Sequence, residues 1–214
     1  MARATKKADR NLDPTSWVAA ARKTLIEKGI SGISLRQLAE DLGATTGAFY
    51  WQFGNLEELL EEVRQDWADR NTAPFTEAIE SAGDDGWQQY LAYVRVLLEE
   101  DQYVPAYDNA IRDWAHSSPR TAEVLRETEA FRIEQLRRIF VALGFEGRAA
   151  SVRAHVTYFS QTGYNAMQVT EPREERLLNV PFYADVLTDR QDLLRLKTAR
   201  AVSDLILAGK REEN

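Results

Sequence analysis

The chain has 214 residues, with 27 Lys and Arg against 34 Asp and Glu, and no cysteine. Disulfides and thiolate metal sites are therefore excluded, and because no run approaches about eighteen apolar residues the sequence predicts no membrane span. The length leaves room for a small domain and a larger one, each with its own core. We expect a two-domain protein of the cytoplasm.

The N-terminal segment, residues 1–11, is predicted to be a flexible basic arm, because it holds four Lys and Arg and no apolar run. Through Leu56 the chain has eight Lys and Arg against five Asp and Glu, a net charge of +3, which leaves −10 for the remainder. This asymmetry favours a polyanionic partner for the N-terminal part. A solvated tail without defined contacts is the alternative for the arm.

The first helix is predicted to begin at Asp13 and Pro14, a cap followed by a residue suited to the first helical position. Apolar residues recur at helical spacing as far as Gly29, which ends the segment. A second helix is predicted after Ser34, where Gln37 can reach back to complete an S-x-x-Q capping box.

The second helix is predicted to end at Gly43, and a short third helix to begin after Thr45 as its cap. Phe49 and Phe53 lie four residues apart, so they face the same way and anchor this helix inward. A recognition helix contacts bases with its N-terminal turn, and the first turn here is made of small residues. The alternative for the neighbouring Tyr50 and Trp51 is that they are half-buried packing groups.

Two short helices, a three-residue turn and aromatic anchors in this order resemble the DNA-binding domain of the tetracycline-repressor (TetR) family. A G-x-x-S-x-R-x-L-A-x-x-L-G-V-S-x-G-x-L-Y-x-x-F pattern recurs there, and the similarity runs from the first helix to residues 55–60. The resemblance implies an all-α fold. It implies an N-terminal three-helix DNA-binding domain with a helix-turn-helix over residues 12–54, and a larger C-terminal helical ligand-binding and dimerisation domain over residues 55–214.

The resemblance also implies which residues bind DNA, some facing the major groove and others meeting phosphates. These residues are Ser34, Arg36, Thr45, Thr46, Gly47, Ala48, Tyr50 and Trp51. Many family members carry lysine where this chain has Thr46 and Leu56. Losing two cations weakens the sequence-independent part of binding, in which each phosphate contact contributes a salt slope of roughly 0.9.

Beyond residue 55 the sequence predicts helices throughout, and the glutamates at 57, 58, 61 and 62 are predicted mainly to form a solvated face. The predicted breaks are at Pro74, residues 83–86, Pro105, residues 117–119, residues 144–147 and residues 171–181. The many aromatic residues favour a cavity with an apolar wall and a few hydroxyl groups. The predicted lining residues are Tyr93, Tyr107, Ile111 and Trp114. The alternative for each is a plain core position.

One DNA-reading domain contacts only a few base pairs, so specificity requires two domains at a fixed spacing and implies a homodimer. In the family, the last two long helices of each subunit form a four-helix interface, which carries over to residues 147–169 and 190–208. The candidate interface residues are Val152, Val156, Leu196, Val202 and Ile206. Their alternative role is intramolecular core.

The predicted function is sequence-specific transcriptional regulation, with repression of a pseudo-palindromic operator in double-stranded DNA and release by an apolar or aromatic effector. Ligand binding would tilt the helix that starts at Asn55 and change the separation of the two reading domains from roughly 34–36 Å. An activator with the same fold is an alternative. So is a helical interaction protein that keeps a repressor-like domain but no longer binds DNA.

The sequence predicts no enzyme, cofactor or metal site. It has no glycine-rich phosphate loop, no H-E-x-x-H and no G-x-S-x-G, and its two histidines, His116 and His155, are far apart along the chain. Metal binding by these histidines with Asp113 is the alternative that a chelator would test.

Overall fold

The computed structural model describes residues 12–99 and 103–208, and all regular structure within these residues is helical. The predicted all-α fold is therefore confirmed. The α-helices are α1 (Pro14–Lys28), α2 (Leu35–Leu42), α3 (Thr46–Tyr50), α4 (Leu56–Arg70), α5 (Ala73–Ser81), α6 (Gly86–Glu99), α7 (Pro105–Ala115), α8 (Pro119–Ala142), α9 (Gly147–Ala166), α10 (Arg173–Thr188) and α11 (Ala199–Leu207). Two 3-10 turns span Ile30–Gly32 and Gln191–Arg195. None of the helices in the described ranges is long and apolar enough to cross a membrane.

The chain divides into two compact units. The first unit contains the chain up to Asp69 together with Ala106–Leu125, and the second contains Arg70–Pro105 and the chain from Arg126 onward. This division differs from the predicted boundary after residue 54. The difference arises because α4 and α7 pack with the first three helices, whereas the sequence suggested that everything after residue 54 belongs to one body.

The ends of the first three helices lie where the sequence predicts them. The Asp13 carboxylate accepts a hydrogen bond from the backbone N–H of Ser16 at 2.9 Å, and the Thr45 hydroxyl accepts one from the N–H of Ala48 at 3.2 Å. Gly43 ends α2 in the left-handed conformation, with φ of 61°. This conformation is accessible to glycine without penalty, so Gly43 turns the chain towards α3.

The predicted capping box at Ser34 forms only in part. The Ser34 hydroxyl accepts from the N–H of Gln37 at 3.3 Å, but the Gln37 side chain donates to Asp41 at 2.8 Å instead of returning to Ser34. A reciprocal arrangement of this kind is found at α4. There the Asn55 side chain accepts from the N–H of Glu58 at 3.0 Å, while the Glu58 carboxylate accepts from the N–H of Gly54 at 2.7 Å.

Aromatic packing fixes α3 in the first unit. Phe49 is fully buried, with its ring centre 5.3 Å from that of Trp17 in an edge-to-face contact and 5.3 Å from that of Phe53 in a stacked one. Pairs of this geometry add about 0.5–1.5 kcal/mol beyond the burial of their area. The predicted inward anchoring by Phe49 and Phe53 is confirmed, and it leaves the opposite side of this five-residue helix exposed.

Polar bonds join α1 and α7 to α4. Arg22 on α1 donates to both carboxylate oxygens of Asp66 at 2.9 Å. The Tyr107 hydroxyl donates to the backbone carbonyl of Val63 at 2.8 Å, and the Trp67 indole N–H donates to the buried Asp108 carboxylate at 2.7 Å. Buried polar groups that are satisfied in this way specify how the helices pack.

The four glutamates predicted to form a solvated face on α4 are exposed or half-exposed, and two of them also bond to a buried arginine. Arg64 is 2% exposed, and its guanidinium donates to Glu57 at 2.8 Å and to Glu61 at 2.7 Å. It also donates to the Thr121 hydroxyl at 2.9 Å. Burying a cation requires compensation, and these acceptors supply it, so Glu57 and Glu61 are structural partners of Arg64.

In the second unit α10 contradicts the predicted break across residues 171–181. The helix runs through Pro181, which is buried together with Leu177 and Ala184 on the same helix. An interior proline removes one backbone hydrogen bond, but burial of this apolar face favours the continuous helix. The other five predicted breaks coincide with helix starts or interhelical segments.

The predicted single helix over residues 190–208 is also wrong. The segment forms the 3-10 turn Gln191–Arg195 and then the separate helix α11. Leu196 has extended backbone angles between them, and the Thr198 hydroxyl accepts a hydrogen bond from the N–H of Ala201 at 3.2 Å. Thr198 therefore starts a new helix where the family resemblance implied a continuous one.

Candidate nucleic-acid interface and effector cavity

The exposed side of α3 contains most of the residues predicted to bind DNA. Thr45, Thr46 and Gly47 are exposed, and Ala48 is half-buried. They form a shallow first turn, because none of them has a side chain larger than threonine. The buried Phe49 behind them holds the turn in place, so an approaching surface would meet small groups on a fixed support.

Two large aromatic side chains follow this turn on the surface of the first unit. Tyr50 is 61% exposed and Trp51 is 87% exposed, so the alternative that they are half-buried packing groups is wrong. The Tyr50 ring touches Phe49 edge-on, with 5.4 Å between ring centres. Each exposed side chain offers an apolar face and a hydrogen-bond donor, a combination suited to an interface.

The hydroxyl groups that cap α2 and α3 already accept hydrogen bonds from the backbone. The Ser34 oxygen accepts from the N–H of Gln37, and the Thr45 oxygen accepts from the N–H of Ala48. A hydroxyl that accepts can still donate its own hydrogen. Both residues are exposed, so both hydroxyls can donate outward to an anionic oxygen such as that of a phosphate.

Arg36 supplies an exposed cation on α2. Its side chain is 87% exposed, and its Nε donates to the Glu40 carboxylate at 2.9 Å. This hydrogen bond raises the pKa of Arg36, and the guanidinium is charged throughout the physiological pH range. Its Nη groups are the part of the guanidinium not engaged with Glu40 in this pair.

The chain leaves room for a side chain at Gly47. A Cβ atom placed on Gly47 would meet only the Thr45 hydroxyl oxygen, at 3.6 Å, which is ordinary van der Waals distance. Packing within the chain therefore does not require glycine at this position. A molecule that approaches α3 from outside would sense the missing side chain.

The second unit contains a cavity of about 250 Å³. Its wall comes from α6, α9 and α10, with Glu171 just before α10. The lining residues are Tyr90, Tyr93, Val94, Leu97, Leu98, Val156, Thr157, Ser160, Gln161, Tyr164, Glu171, Arg176, Asn179, Val180, Tyr183, Val186 and Leu187. This lining combines aromatic and aliphatic side chains with a small number of polar groups, as ligand cavities generally do.

Only Tyr93 among the four predicted lining residues belongs to this cavity. Tyr107, Ile111 and Trp114 lie in the hydrophobic core of the first unit. Hydrogen bonding and apolar packing of α7 against α4 direct these three side chains into that core. The sequence did not place the lining on α9 and α10, although tyrosines at 164 and 183 were visible there.

An exposed apolar face lies on α9 and α10 of the second unit. It consists of Val152, Val156, Phe159, Phe182, Tyr183 and Val186. The two helices are joined by Arg153, which donates to the carbonyls of Val186 and Leu187 at 3.1 and 3.0 Å. We call these six residues the α9/α10 face.

The α9/α10 face contains two of the five predicted interface residues, Val152 and Val156. Val202 and Ile206 are instead buried inside the subunit, where they pack in one cluster with Leu177 and Val180, and Leu196 is half-buried against this cluster. The apolar side of α11 is therefore used within the chain. The residues that the sequence missed are on α10, and the predicted break there concealed their helical spacing.

The two histidines do not form part of a metal cluster. Within residues 12–99 and 103–208, no group of three or more His, Cys, Asp or Glu side chains is placed to hold a metal ion. His155 Nδ1 lies 2.7 Å from the backbone carbonyl of Ser151, and its ring packs near Phe159.

Comparison with known proteins gives one family and several similar chains. The family described as bacterial regulatory proteins, tetR family, matches residues 18–63. The tetracycline repressor protein class A from transposon 1721 of Escherichia coli is 29% identical over 150 residues, which cover 70% of this chain. That match spans 64% of the length of the repressor.

Two solved structures have a similar fold. A transcriptional regulator from Rhodococcus sp. Rha1 has a TM-score of 0.62 at 22% identity, covering 92% of this chain and 97% of that one. A Rhodococcus sp. protein described as a TetR-family transcriptional regulator has a TM-score of 0.57 at 19% identity, covering 82% of this chain and 97% of that one. At these identities the likeness shows a shared helical fold.

A short exposed α3, supported by α1 and separated from α2 by a glycine turn, defines a helix-turn-helix protein. The family match covers this motif together with most of α1 and the start of α4. Over residues 18–63 the chain is therefore similar to the tetR family of bacterial regulatory proteins.

Proposed function

We propose that this protein is a sequence-specific transcriptional regulator that reads double-stranded DNA with α3. The observation that carries the proposal is the exposed surface of α3, where a turn of small residues is followed by the solvent-facing Tyr50 and Trp51 while Phe49 is buried behind them. Large aromatic groups on the outside of a small helical unit need a partner to cover them. A DNA groove and its flanking phosphates fit the small turn and the exposed donors.

The residues divide into base-reading and phosphate-binding groups. The first turn and Tyr50 would enter the major groove, since the N-terminal residues of a recognition helix contact base edges. Ser34, Thr45 and Trp51 would donate to phosphates, which fix the register of the protein on the duplex. Arg36 would contact a base or a phosphate with the nitrogens that Glu40 leaves available.

The charge distribution supports DNA binding by the N-terminal part of the chain but indicates modest affinity. The net charge of +3 through Leu56 contrasts with −10 for the rest of the chain, so the N-terminal part is the one that DNA attracts. Many family members carry lysine at the positions of Thr46 and Leu56. Here Thr46 is an exposed neutral residue and Leu56 packs partly against the core, so neither position supplies a cation for a phosphate. We therefore expect modest affinity with strong dependence on Arg36. The basic segment 1–11 lies outside the described residues.

The α9/α10 face is the proposed homodimer interface. Its six side chains expose on the order of 600 Å² of apolar surface, taking about 150–200 Å² for each fully exposed large side chain. A stable interface buries about 800 Å² per partner when its polar rim is included. The same face on a second copy completes an isologous contact, which presents two α3 helices to a pseudo-palindromic operator.

We propose repression that a small-molecule effector relieves, with the cavity of the second unit as the effector site. Its mostly apolar lining favours an apolar or aromatic ligand over a sugar phosphate. Couplings of this kind amount to about 1–3 kcal/mol, or roughly 5- to 150-fold in operator affinity. Such a regulator acts on the chromosome and so works in the cytoplasm of a bacterium. Its proposed action is binding alone, which needs no catalytic group or cofactor.

Selection of bound sequences from a random double-stranded DNA pool tests the proposal. Recovery of a two-fold-symmetric motif would support a dimeric DNA reader. Recovery of nothing above background, even at low salt, would remove DNA binding from the account. The remaining candidate would then be a helical interaction protein with a repressor-like first unit.

A further inference from the structure

Tyr90 places an unused hydrogen-bond donor in the wall of the cavity. The residue is 2% exposed, and it lines the cavity together with other residues of α6. Its hydroxyl makes no hydrogen bond to any residue that the structure describes. Polar groups of buried residues are nearly always paired, so an unpaired hydroxyl in a cavity wall points to a partner that enters the cavity.

Burial also keeps the Tyr90 hydroxyl protonated. Desolvation raises the pKa of Tyr90 above its usual value of 10, so its hydroxyl keeps its proton throughout the physiological range. The protonated hydroxyl donates to an acceptor. The partner that satisfies it is therefore an oxygen or nitrogen with a lone pair.

Ring packing holds this donor in a set direction. The Tyr90 ring stacks on Trp87, with 5.5 Å between ring centres, and it lies 6.4 Å from the ring centre of Phe140. Phe140 is fully buried. A donor that is oriented before binding loses little conformational entropy when its acceptor arrives.

The charged residues of the cavity wall balance one another and have partners in the chain. Arg176 donates to the carbonyl of Leu97 at 2.6 Å, and its guanidinium lies 5.8 Å from the ring centre of Tyr164. Glu171 is exposed and accepts from the Tyr164 hydroxyl at 3.4 Å. Because both charged groups are already bonded within the chain, a charged ligand would have to displace these bonds while it loses its own hydration.

Two further polar groups of the wall are engaged inside the chain. The Thr157 hydroxyl donates to the carbonyl of Arg153 at 2.8 Å, and the Gln161 amide donates to Asn165 at 2.9 Å. Tyr90 is thus the deeply buried group whose polar atom has no bond to a described residue.

We propose that the cavity selects an uncharged ligand, apolar over most of its surface, whose single buried acceptor, such as a carbonyl or ether oxygen, binds the Tyr90 hydroxyl. This inference rests on the proposed effector site and specifies what that site recognises. Tyr90 is the residue that distinguishes an oxygen-bearing ligand from a hydrocarbon of the same shape.

The test uses three bicyclic probes that share one ring system: 2-acetylnaphthalene, 2-ethylnaphthalene and 2-naphthoate. Their affinities are measured by titration calorimetry on the full chain and on Tyr90→Phe, which removes only the hydroxyl. The ketone should bind the unaltered chain, and Tyr90→Phe should weaken it by roughly 3- to 12-fold. The ethyl compound should bind both chains equally, and the carboxylate should bind the unaltered chain more weakly than the ketone.

Equal affinity of the ketone for both chains would overturn the proposal, as would tighter binding of the carboxylate or no binding of either uncharged probe. Thermal unfolding of Tyr90→Phe without a probe controls for loss of structure. Operator binding measured in the same samples separates the two proposals. A ketone that depends on Tyr90 but leaves operator affinity unchanged would contradict the effector role and leave the ligand class standing.

Discussion

The guanidinium of Arg64 lies 4.4 Å from the ring centre of Trp114, and both side chains are almost fully buried in the first unit. The same guanidinium donates to Thr121 on α8 and to two glutamates on α4. One side chain from α4 thus binds α7 through the Trp114 ring and the start of α8 through a hydroxyl. This arrangement fixes the helices that support the proposed DNA-reading surface.

Replacing Arg64 should destabilise the protein strongly. Arg64→Ala removes three hydrogen bonds and a cation–π contact, and it leaves a gap against Trp114, so we expect a loss of about 2–3 kcal/mol in the free energy of unfolding. Chemical denaturation measures this loss. Arg138→Ala is the matched control, because Arg138 is largely exposed and should contribute little. Equal effects of the two changes would show that Arg64 does not hold these helices together.

Glu61 should make stability sensitive to acid. Hydrogen bonds from Arg120, and then from Arg64, lower the pKa of Glu61 below its ordinary 4.5. Its ionised form therefore stabilises the folded state fully above pH 4.5, and this contribution is lost as the pH falls through the lowered folded-state pKa. Glu61→Gln should be less stable than the unaltered chain at neutral pH, and the difference should shrink in acid. A difference that stays constant with pH would mean that the Glu61 charge contributes nothing.

Gly47→Ala should separate DNA binding from folding. The added methyl group would lie at an ordinary contact distance from the Thr45 hydroxyl, so thermal stability should be unchanged or slightly higher. If a base edge lies against α3, the methyl group should reduce affinity for the selected operator by roughly tenfold, the loss expected for one disturbed base contact. Fluorescence anisotropy measures the affinity. Unchanged operator affinity would mean that DNA does not approach this turn closely.

Glu40→Gln should strengthen DNA binding. The change releases Arg36 from its ion pair and removes an anion near the proposed interface, so affinity should rise by about threefold at low salt and by less at high salt. Glu77→Gln makes the same change in net charge in the second unit and should leave DNA affinity nearly unaltered. An equal gain from both variants would point to overall charge and not to Arg36.

Phe182→Asp should convert the proposed dimer to monomers. Phe182 is 58% exposed on the α9/α10 face, and a carboxylate there would be desolvated in the dimer without a partner. Sedimentation or light scattering measures the oligomeric state. Phe131 on α8 is 50% exposed and lies outside this face, so Phe131→Asp is the matched control and should remain dimeric. A Phe182→Asp protein that stays dimeric would place the interface elsewhere.

Local patterns predicted the helices of the first unit because each end is determined by residues close in sequence. Asp13, Thr45 and Gly43 act on their own or neighbouring backbone groups, so their roles are visible without the fold. Gln37 shows the limit of this reasoning. Its side-chain amide can accept from the Ser34 N–H or donate to the Asp41 carboxylate, and in the structure it donates to Asp41.

Long-range packing explains the predictions that failed. Tyr107 and Trp114 are residue types that often line cavities. Their partners Val63 and Arg64 are more than forty residues away in sequence, so the sequence pattern does not reveal these contacts. Pro181 suggested a break because the sequence does not reveal that its helix face is buried. Aromatic content thus predicted that a cavity exists, while the tertiary fold decided which aromatic residues line it.

Base reading by α3 is tested most directly by the DNA-sequence specificity of the Arg36→Ala/Tyr50→Ala variant. The measurement compares the affinities of the unaltered chain and the variant for the selected operator and for a scrambled duplex, at two salt concentrations. Both residues are exposed, so the variant should fold normally. If α3 reads bases, the ratio of the two affinities should fall close to one in the variant. An undiminished ratio would contradict base reading by α3 and assign specificity to another surface.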